Sequence, residues 1–149
     1  MSNETLRRET EAFFHAQIPI TRAMGVAVER FDAEALILTA PLAVNHNHLG
    51  TAFGGSLSSI ATLAGYGVLW MLLDDRNCHI VVKSSSVEYL CPVHGDIRAI
   101  ARCPDETTFA AFKNRFGKKG KARIRLHVTI EEGGETCVGF EGIFVALKE

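Results

Sequence analysis

Residues 54–73 read GGSLSSIATLAGYGVLWMLL, twenty positions without a charge, and the three that follow are Asp74, Asp75 and Arg76. The run is too long for a strand, so it predicts a helix that stops at the charges. Being apolar nearly all round, it needs other structure wrapped about it. Gly54, Gly55, Ser58, Ser59, Ala61, Ala64, Gly65 and Gly67 are small enough to let strands approach its backbone. A length of about twenty residues also suits a membrane span. Four glycines, three serines and a threonine speak against that, and a span would separate two flanks that both read as strands of one sheet. The run is therefore expected to be a central core helix.

Beyond it, HIVVKSSSVEYL (79–90), DIRAIARC (96–103), ARIRLHVTIEE (122–132) and CVGFEGIFVALK (137–148) read as extended segments, with turns at Pro92–Gly95 and Gly133–Gly134. Ile97, Ala99 and Ala101 alternate with Asp96, Arg98 and Arg102, and Ile124, Leu126, Val128 and Ile130 with Arg123, Arg125 and His127. That alternation marks a sheet with one wet face, and the helix can cover the dry one. Asp105 stands where an N-cap would, Phe109, Phe112 and Phe116 follow at helical spacing, and Gly117 suits a C-cap, predicting a short inserted helix near 105–116. Before the central run, Thr5–Gln17 reads as a short helix ended by Pro19. From Ile20 the pattern turns extended, and a hairpin folds about Asp32–Glu34 until Pro41 and the polar Asn45–His48 stretch interrupt the sheet.

A chain of 149 residues fits one domain, 1–149, which buries about 70% of its unfolded surface. Lys and Arg number 16 against 17 Asp and Glu, so no net field draws the molecule to nucleic acid or anionic lipid, and no aromatics interleave with the basic residues as stacking platforms require. The cysteines at 78, 91, 103 and 137 form no Cys-x-x-Cys pair, which points to reduced, structural thiols and a cytoplasmic protein. Residues 1–17 lack the apolar run of a signal peptide. His46 and His48 have the spacing of two metal ligands but no third nearby, so they are expected to be loop residues and no metal is predicted.

The order of elements, helix, hairpin, long helix and four antiparallel strands, matches the α+β hot-dog fold, a curved antiparallel sheet wrapped round one helix. Asn47-His48-Leu49-Gly50-Thr51-Ala52-Phe53-Gly54-Gly55 resembles the segment that enters the central helix of PaaI-like and related acyl-CoA thioesterases. Tyr89-Leu90-Cys91-Pro92-Val93-His94-Gly95-Asp96 looks like the strand-turn-strand segment of the same superfamily, and the stretch from Gly50 to Leu73, with Ala-Gly-Tyr-Gly-Val-Leu-Trp near its end, is similar to the thioesterase domain in the C-terminal half of YiiD proteins.

The resemblance implies hydrolysis of an acyl-CoA or acyl carrier protein thioester, with coenzyme A or the carrier as part of the substrate and no other cofactor, in a homodimer or a dimer of dimers. A departing thiolate needs little acid help, so the demand falls on an oxyanion site and on a base for water. A helix N-terminus supplies free N–H donors, and Gly54-Gly55 let a carbonyl come close. By analogy Gly54 gives the main N–H and the Asn47 side chain orients the water or the thioester. Two positions depart from the family. Its histidine before the glycines is Phe53 here, placed as a substrate contact, and its carboxylate in the helix falls on Thr62, which holds a water without taking its proton.

Glu88 is the candidate replacement base, because Ser84, Ser86 and Glu88 alternate onto one face of the strand from which, as the resemblance implies, dimers of this superfamily present polar groups to the partner's site. The two serines are expected to bind water or substrate, since a nucleophilic Ser needs an adjacent base. The cluster of Lys113, Arg115, Lys118, Lys119, Lys121, Arg123 and Arg125 would meet coenzyme A phosphates or an acidic carrier protein, or else form a solvated turn. A second reading is a non-catalytic acyl-thioester binding module that kept the pocket and lost the base. A hot-dog dehydratase ranks third, because the Asp-x-x-x-x-His pair of that branch is missing from the start of the central helix.

Overall fold

An uncharged helix must find apolar partners on nearly every side, and here a six-stranded sheet and an N-terminal helix supply them. The computed structural model describes residues 3–149. In chain order it contains α1 (Asn3–Gln17), α2 (Pro19–Ala23), β1 (Ala27–Phe31), β2 (Ala35–Ala40), a 3-10 turn (Leu42–Val44), α3 (Gly54–Leu73), β3 (Cys78–Tyr89), β4 (Ile97–Arg102), α4 (Glu106–Lys119), β5 (Lys121–Glu132) and β6 (Glu135–Lys148). The strands lie in the order β1-β2-β4-β5-β6-β3, every neighbour antiparallel, so α3 carries the chain from one side of the sheet to the far edge.

Leu36 and Leu38 of β2, Ile97 and Ala99 of β4, Ile124, Leu126 and Val128 of β5, and Phe140 and Phe144 of β6 form one core with Ile60, Ala64, Val68 and Leu69 of α3. The helix has the length and hydropathy of a membrane span, yet 67% of its most apolar window is buried within the protein, as a core helix requires. Two of its glycines mark where neighbours press against its backbone. A Cβ on Gly65 would stand 2.5 Å from the Phe144 ring, and one on Gly67 2.7 Å from Leu36 and 2.9 Å from Phe14.

Two local expectations need correction. Pro19 does not lead into a strand at Ile20: it opens α2, because its fixed φ suits the first helical position, and the Ile18 carbonyl accepts from both the N–H and the hydroxyl of Thr21. Gly25, at φ +70°, then turns the chain, and the strand starts only at Ala27. The inserted helix begins as expected at Asp105, whose carboxylate accepts the Thr108 N–H at 2.8 Å. It does not stop at Gly117 but runs to Lys119, where Gly120 at φ +71° donates its N–H to the Phe116 carbonyl. Phe112 and Phe116 of this helix are buried, and it packs along the part of β5 that β4 leaves unpaired, since β4 meets β5 only at Val128–Ile130.

The glycines give a paired prediction. Replacing a mid-helix glycine by alanine stabilises by about 1 kcal/mol through propensity alone, while overpacking a core costs about 1–3 kcal/mol. Gly117→Ala, with open space around it, is expected to raise stability in urea unfolding, and Gly65→Ala to lower it by about 1–2 kcal/mol as Phe144 is displaced. An increase for both would show that Phe144 swings aside freely.

Candidate active site

The segment that delivers the chain to α3 is fixed by its own hydrogen bonds. The side-chain amide of Asn45, a buried residue, donates to the Met24 and Pro41 carbonyls at 2.9 and 2.8 Å, and its backbone carbonyl accepts the Phe53 N–H. Asn47 closes the next turn: its side-chain oxygen accepts the N–H groups of Leu49 and Thr51, and its amide donates to the Thr51 hydroxyl at 2.9 Å. Ala52 donates to the Val93 carbonyl, which ties the turn to the stretch after β3. That stretch is held in its turn by Glu132, whose carboxylate accepts the N–H groups of His94 and Gly95 at 3.0 and 2.7 Å. These bonds hold the Glu132 carboxyl below the usual carboxylate range.

The helix then starts with no side-chain cap, from Phe53 in extended conformation (φ −68°, ψ 133°). Among the described residues nothing accepts from the N–H groups of Gly54, Gly55 and Ser56, the donors that a helix leaves unpaired. The half-exposed Phe53 ring lies against Gly55, where a Cβ would come within 2.4 Å of it. The Tyr89 ring flanks Gly54 and its hydroxyl donates to the Gly54 carbonyl at 3.3 Å.

One turn further along, Ser58, Ser59, Thr62 and Tyr66 of α3 line a cleft of about 550 Å³, and Gly54 and Gly55 lie outside its lining. Its apolar walls come from Phe13 and Ile18 on one side and Ile80, Val82 and Phe144 on the other. The Ser58 hydroxyl donates to the Gly55 carbonyl at 3.1 Å and the Thr62 hydroxyl to the Ser58 carbonyl at 2.8 Å. With their protons committed, both oxygens present lone pairs, so Thr62 can accept from a water but cannot deprotonate it. Among the described residues no carboxylate or imidazole lines the cleft. Burial pushes the Tyr66 hydroxyl up, which keeps it protonated at neutral pH. Phe13 stacks on Trp70 with ring centroids 4.0 Å apart and the Arg76 guanidinium lies over Trp70 at 4.2 Å, so aromatic packing backs the cleft at the Tyr66 end.

The other candidate residues fall elsewhere. Ser84, Ser86 and Glu88 do share a face, but they pair with Ile143, Glu141 and Gly139, on the side of the sheet turned away from α3. The cause is a bulge at Lys83, where the register shifts between Val82 and Ser84. One extra residue reverses the parity, so Ser85, Val87 and Tyr89 take the inner side and Glu88 is separated from Thr62 by the sheet. Lys118, Lys119 and Lys121 stand exposed where α4 passes into β5, and none lines the cleft. Asn47 does not line it either. Arg115, Arg123 and Arg125 instead face a second cleft of about 490 Å³ between α4 and β5, where Arg125 is paired with Glu141. Asn45 escaped sequence reading, because nothing in its neighbourhood shows that Met24 and Pro41 would converge on it.

A sheet curled round one helix, whose first turn has no side-chain cap and whose next turns line an apolar cleft, defines a hot-dog domain of the thioesterase type. The model of the family described as "Putative thioesterase (yiiD_Cterm)" matches residues 7–148, and the chain belongs to that family. It is similar to a Chlorobaculum tepidum protein of unknown function, with 37% identity, TM-score 0.92, and 99% of this chain and 98% of the other covered. A Shewanella oneidensis structure described as a "putative thioesterase" shares 30% identity at TM-score 0.86, covering 97% of this chain and 99% of the other. A thioesterase from Haemophilus influenzae, 14% identical, shares the fold at TM-score 0.71, covering 99% of this chain and 92% of its own.

The Glu132 clamp predicts a pH effect. A carboxyl held low in the fold contributes stability that is present above its unfolded pKa and lost as pH falls through the folded one. Wild type is therefore expected to lose more stability between pH 7 and pH 3 than Glu132→Gln, in urea melts run at both pH values. Parallel loss in the two proteins would remove the clamp from the account.

Proposed function

We propose that the protein hydrolyses acyl thioesters of coenzyme A or of an acyl carrier protein, with the thioester carbonyl set against the N–H groups of Gly54 and Gly55 and the acyl chain lying in the cleft beside Thr62. One observation carries this reading: the uncapped glycine start of α3 lies one helical turn from the residues of the same helix that line the apolar cleft. Preorganised donors of this kind contribute about 3 kcal/mol each to the stabilisation of a developing oxyanion. Thr62 orients the attacking water through its lone pairs. Asn47 acts on the shape of the turn, since its side chain is committed to Leu49 and Thr51. Phe53 and Tyr89 flank the carbonyl position, and Phe13 and Tyr66 limit the chain length. Without a base in the cleft, turnover is expected to be slow, because a missing general base costs about 10² to 10⁴ in rate.

The assembly we propose is a homodimer built on β3. This strand ends the sheet and is twelve residues long, with Val81, Val82 and Tyr89 exposed along it. An open edge of that length and polarity is a template for pairing with a second copy. A dimer joined there places two cleft mouths near one seam. A single lysine at Val81 is expected to shift the sedimentation profile toward monomer.

One substitution tests the oxyanion role without disturbing the fold. Gly54 is the first residue of α3, where proline is tolerated, and Phe53 already has the extended conformation that a following proline demands. Gly54→Pro removes the N–H and little else. Its turnover of acyl-CoA substrates is expected to fall about 100-fold, the cost of one such donor, with an unchanged melting temperature. Thr62→Ala is expected to lose about 5- to 10-fold, the value of one hydrogen bond of ~1 kcal/mol. Tyr66→Ala is expected to move the preference to longer acyl chains. Full activity in Gly54→Pro would overturn the assignment. The lack of any acid or imidazole in the cleft also favours a binding module, and tight acyl-CoA binding without turnover across chain lengths would establish that reading instead.

A further inference from the structure

Of the four cysteines, two meet where β3 leaves the sheet. Leu90 and Cys91 both donate their N–H groups to the Cys137 carbonyl, at 2.7 and 3.3 Å, so the backbones at 91 and 137 are as close as adjacent strands. Their side chains converge as well. The Cys91 thiol lies 3.7 Å from the Thr136 carbonyl and the Cys137 thiol 3.8 Å from the Pro92 carbonyl, so each sulfur reaches the backbone next to the other cysteine. Backbones joined in this way run roughly 4.8 Å apart, inside the Cα separation of about 4.4–6.8 Å that a disulfide spans. The two thiols differ in access, Cys91 being half-buried and Cys137 buried.

We propose that Cys91 and Cys137 form a peroxide-sensitive thiol pair that closes to an intramolecular disulfide. The Cys91 sulfur, the accessible one, attacks a peroxide oxygen, breaking the O–O bond and becoming a sulfenic acid while one water leaves. The Cys137 sulfur then attacks the Cys91 sulfur, forming the S–S bond and expelling a second water. Two thiols are oxidised to one disulfide as one hydrogen peroxide is reduced to two waters. Burial, with Cys91 beside it, pushes the Cys137 thiol up to about 12, so the second step needs a proton removed and quickens as pH rises. The product ties β6 to the segment between Tyr89 and Val93, the two residues that bond Gly54 and Ala52 at the start of α3. The pair stands whether or not the thioester reading does.

Trypsin places the four cysteines on separate peptides, with Cys91 in 84–98 and Cys137 in 126–148. Reduced protein is exposed to excess hydrogen peroxide, denatured, alkylated and digested for mass spectrometry. The expected product is a cross-linked 84–98/126–148 pair two hydrogens lighter than the sum, absent after dithiothreitol, and formed faster at pH 9 than at pH 7. Cys137→Ser should leave Cys91 to advance to sulfinic acid. Native protein in which Cys91 becomes sulfinic while Cys137 is fully alkylated would overturn the proposal, as would a cross-link between two copies of Cys91. A rate independent of pH would overturn thiolate attack as the route to the cross-link.

Discussion

A helix without charge has to be surrounded, yet its first peptide N–H groups are useful only if one end stays bare. These two demands organise the molecule. The sheet and α1 take up the first by covering the middle and far turns of α3, where Gly65 and Gly67 let Phe144, Leu36 and Phe14 close on the backbone. The second is met by a turn that satisfies itself. Asn45, Asn47, Thr51 and Ala52 consume one another's hydrogen bonds and those of Val93, Met24 and Pro41, so no group is left over to cap Gly54.

What the site can do follows from which groups are near it and which are held away. The face below Gly55 offers hydroxyl lone pairs and apolar walls, with no strong base. The proposed hydrolysis matches this inventory, because a thioester's leaving group departs unaided and asks little of an acid. The chemistry asked of the protein is mostly electrostatic positioning, which a rigid turn and a fixed helix supply well.

The same turn accounts for the position of the thiol pair. β3 ends at Tyr89, and the chain must cross from the sheet edge to Val93 to meet Ala52, which carries Cys91 past the start of β6. A cross-link there would act on the segment bonded to Ala52 and Gly54 at the start of α3.

Much of this was legible in the chain as letters. The far limit of α3 was set by the return of charge at Asp74, its start by the glycine pair at 54–55, and the cap at Asp105 and the alternation in β4 and β5 are local patterns with local causes. The motif before Gly54 marked the right helix end, because unpaired N–H donors belong to any helix start. Tertiary structure decided the rest. The bulge at Lys83 reversed the face of every later side chain in β3, so that Glu88 and Thr62 of one chain lie on opposite sides of the sheet, a change of parity that alternating letters cannot show. Gly120 and not Gly117 ended α4, since packing of Phe116 and Ala122 carried the helix on. The meeting of Cys91 with Cys137, and of Asn45 with Met24 and Pro41, joins residues distant along the chain, and only the closure of the sheet brings such groups within bonding distance.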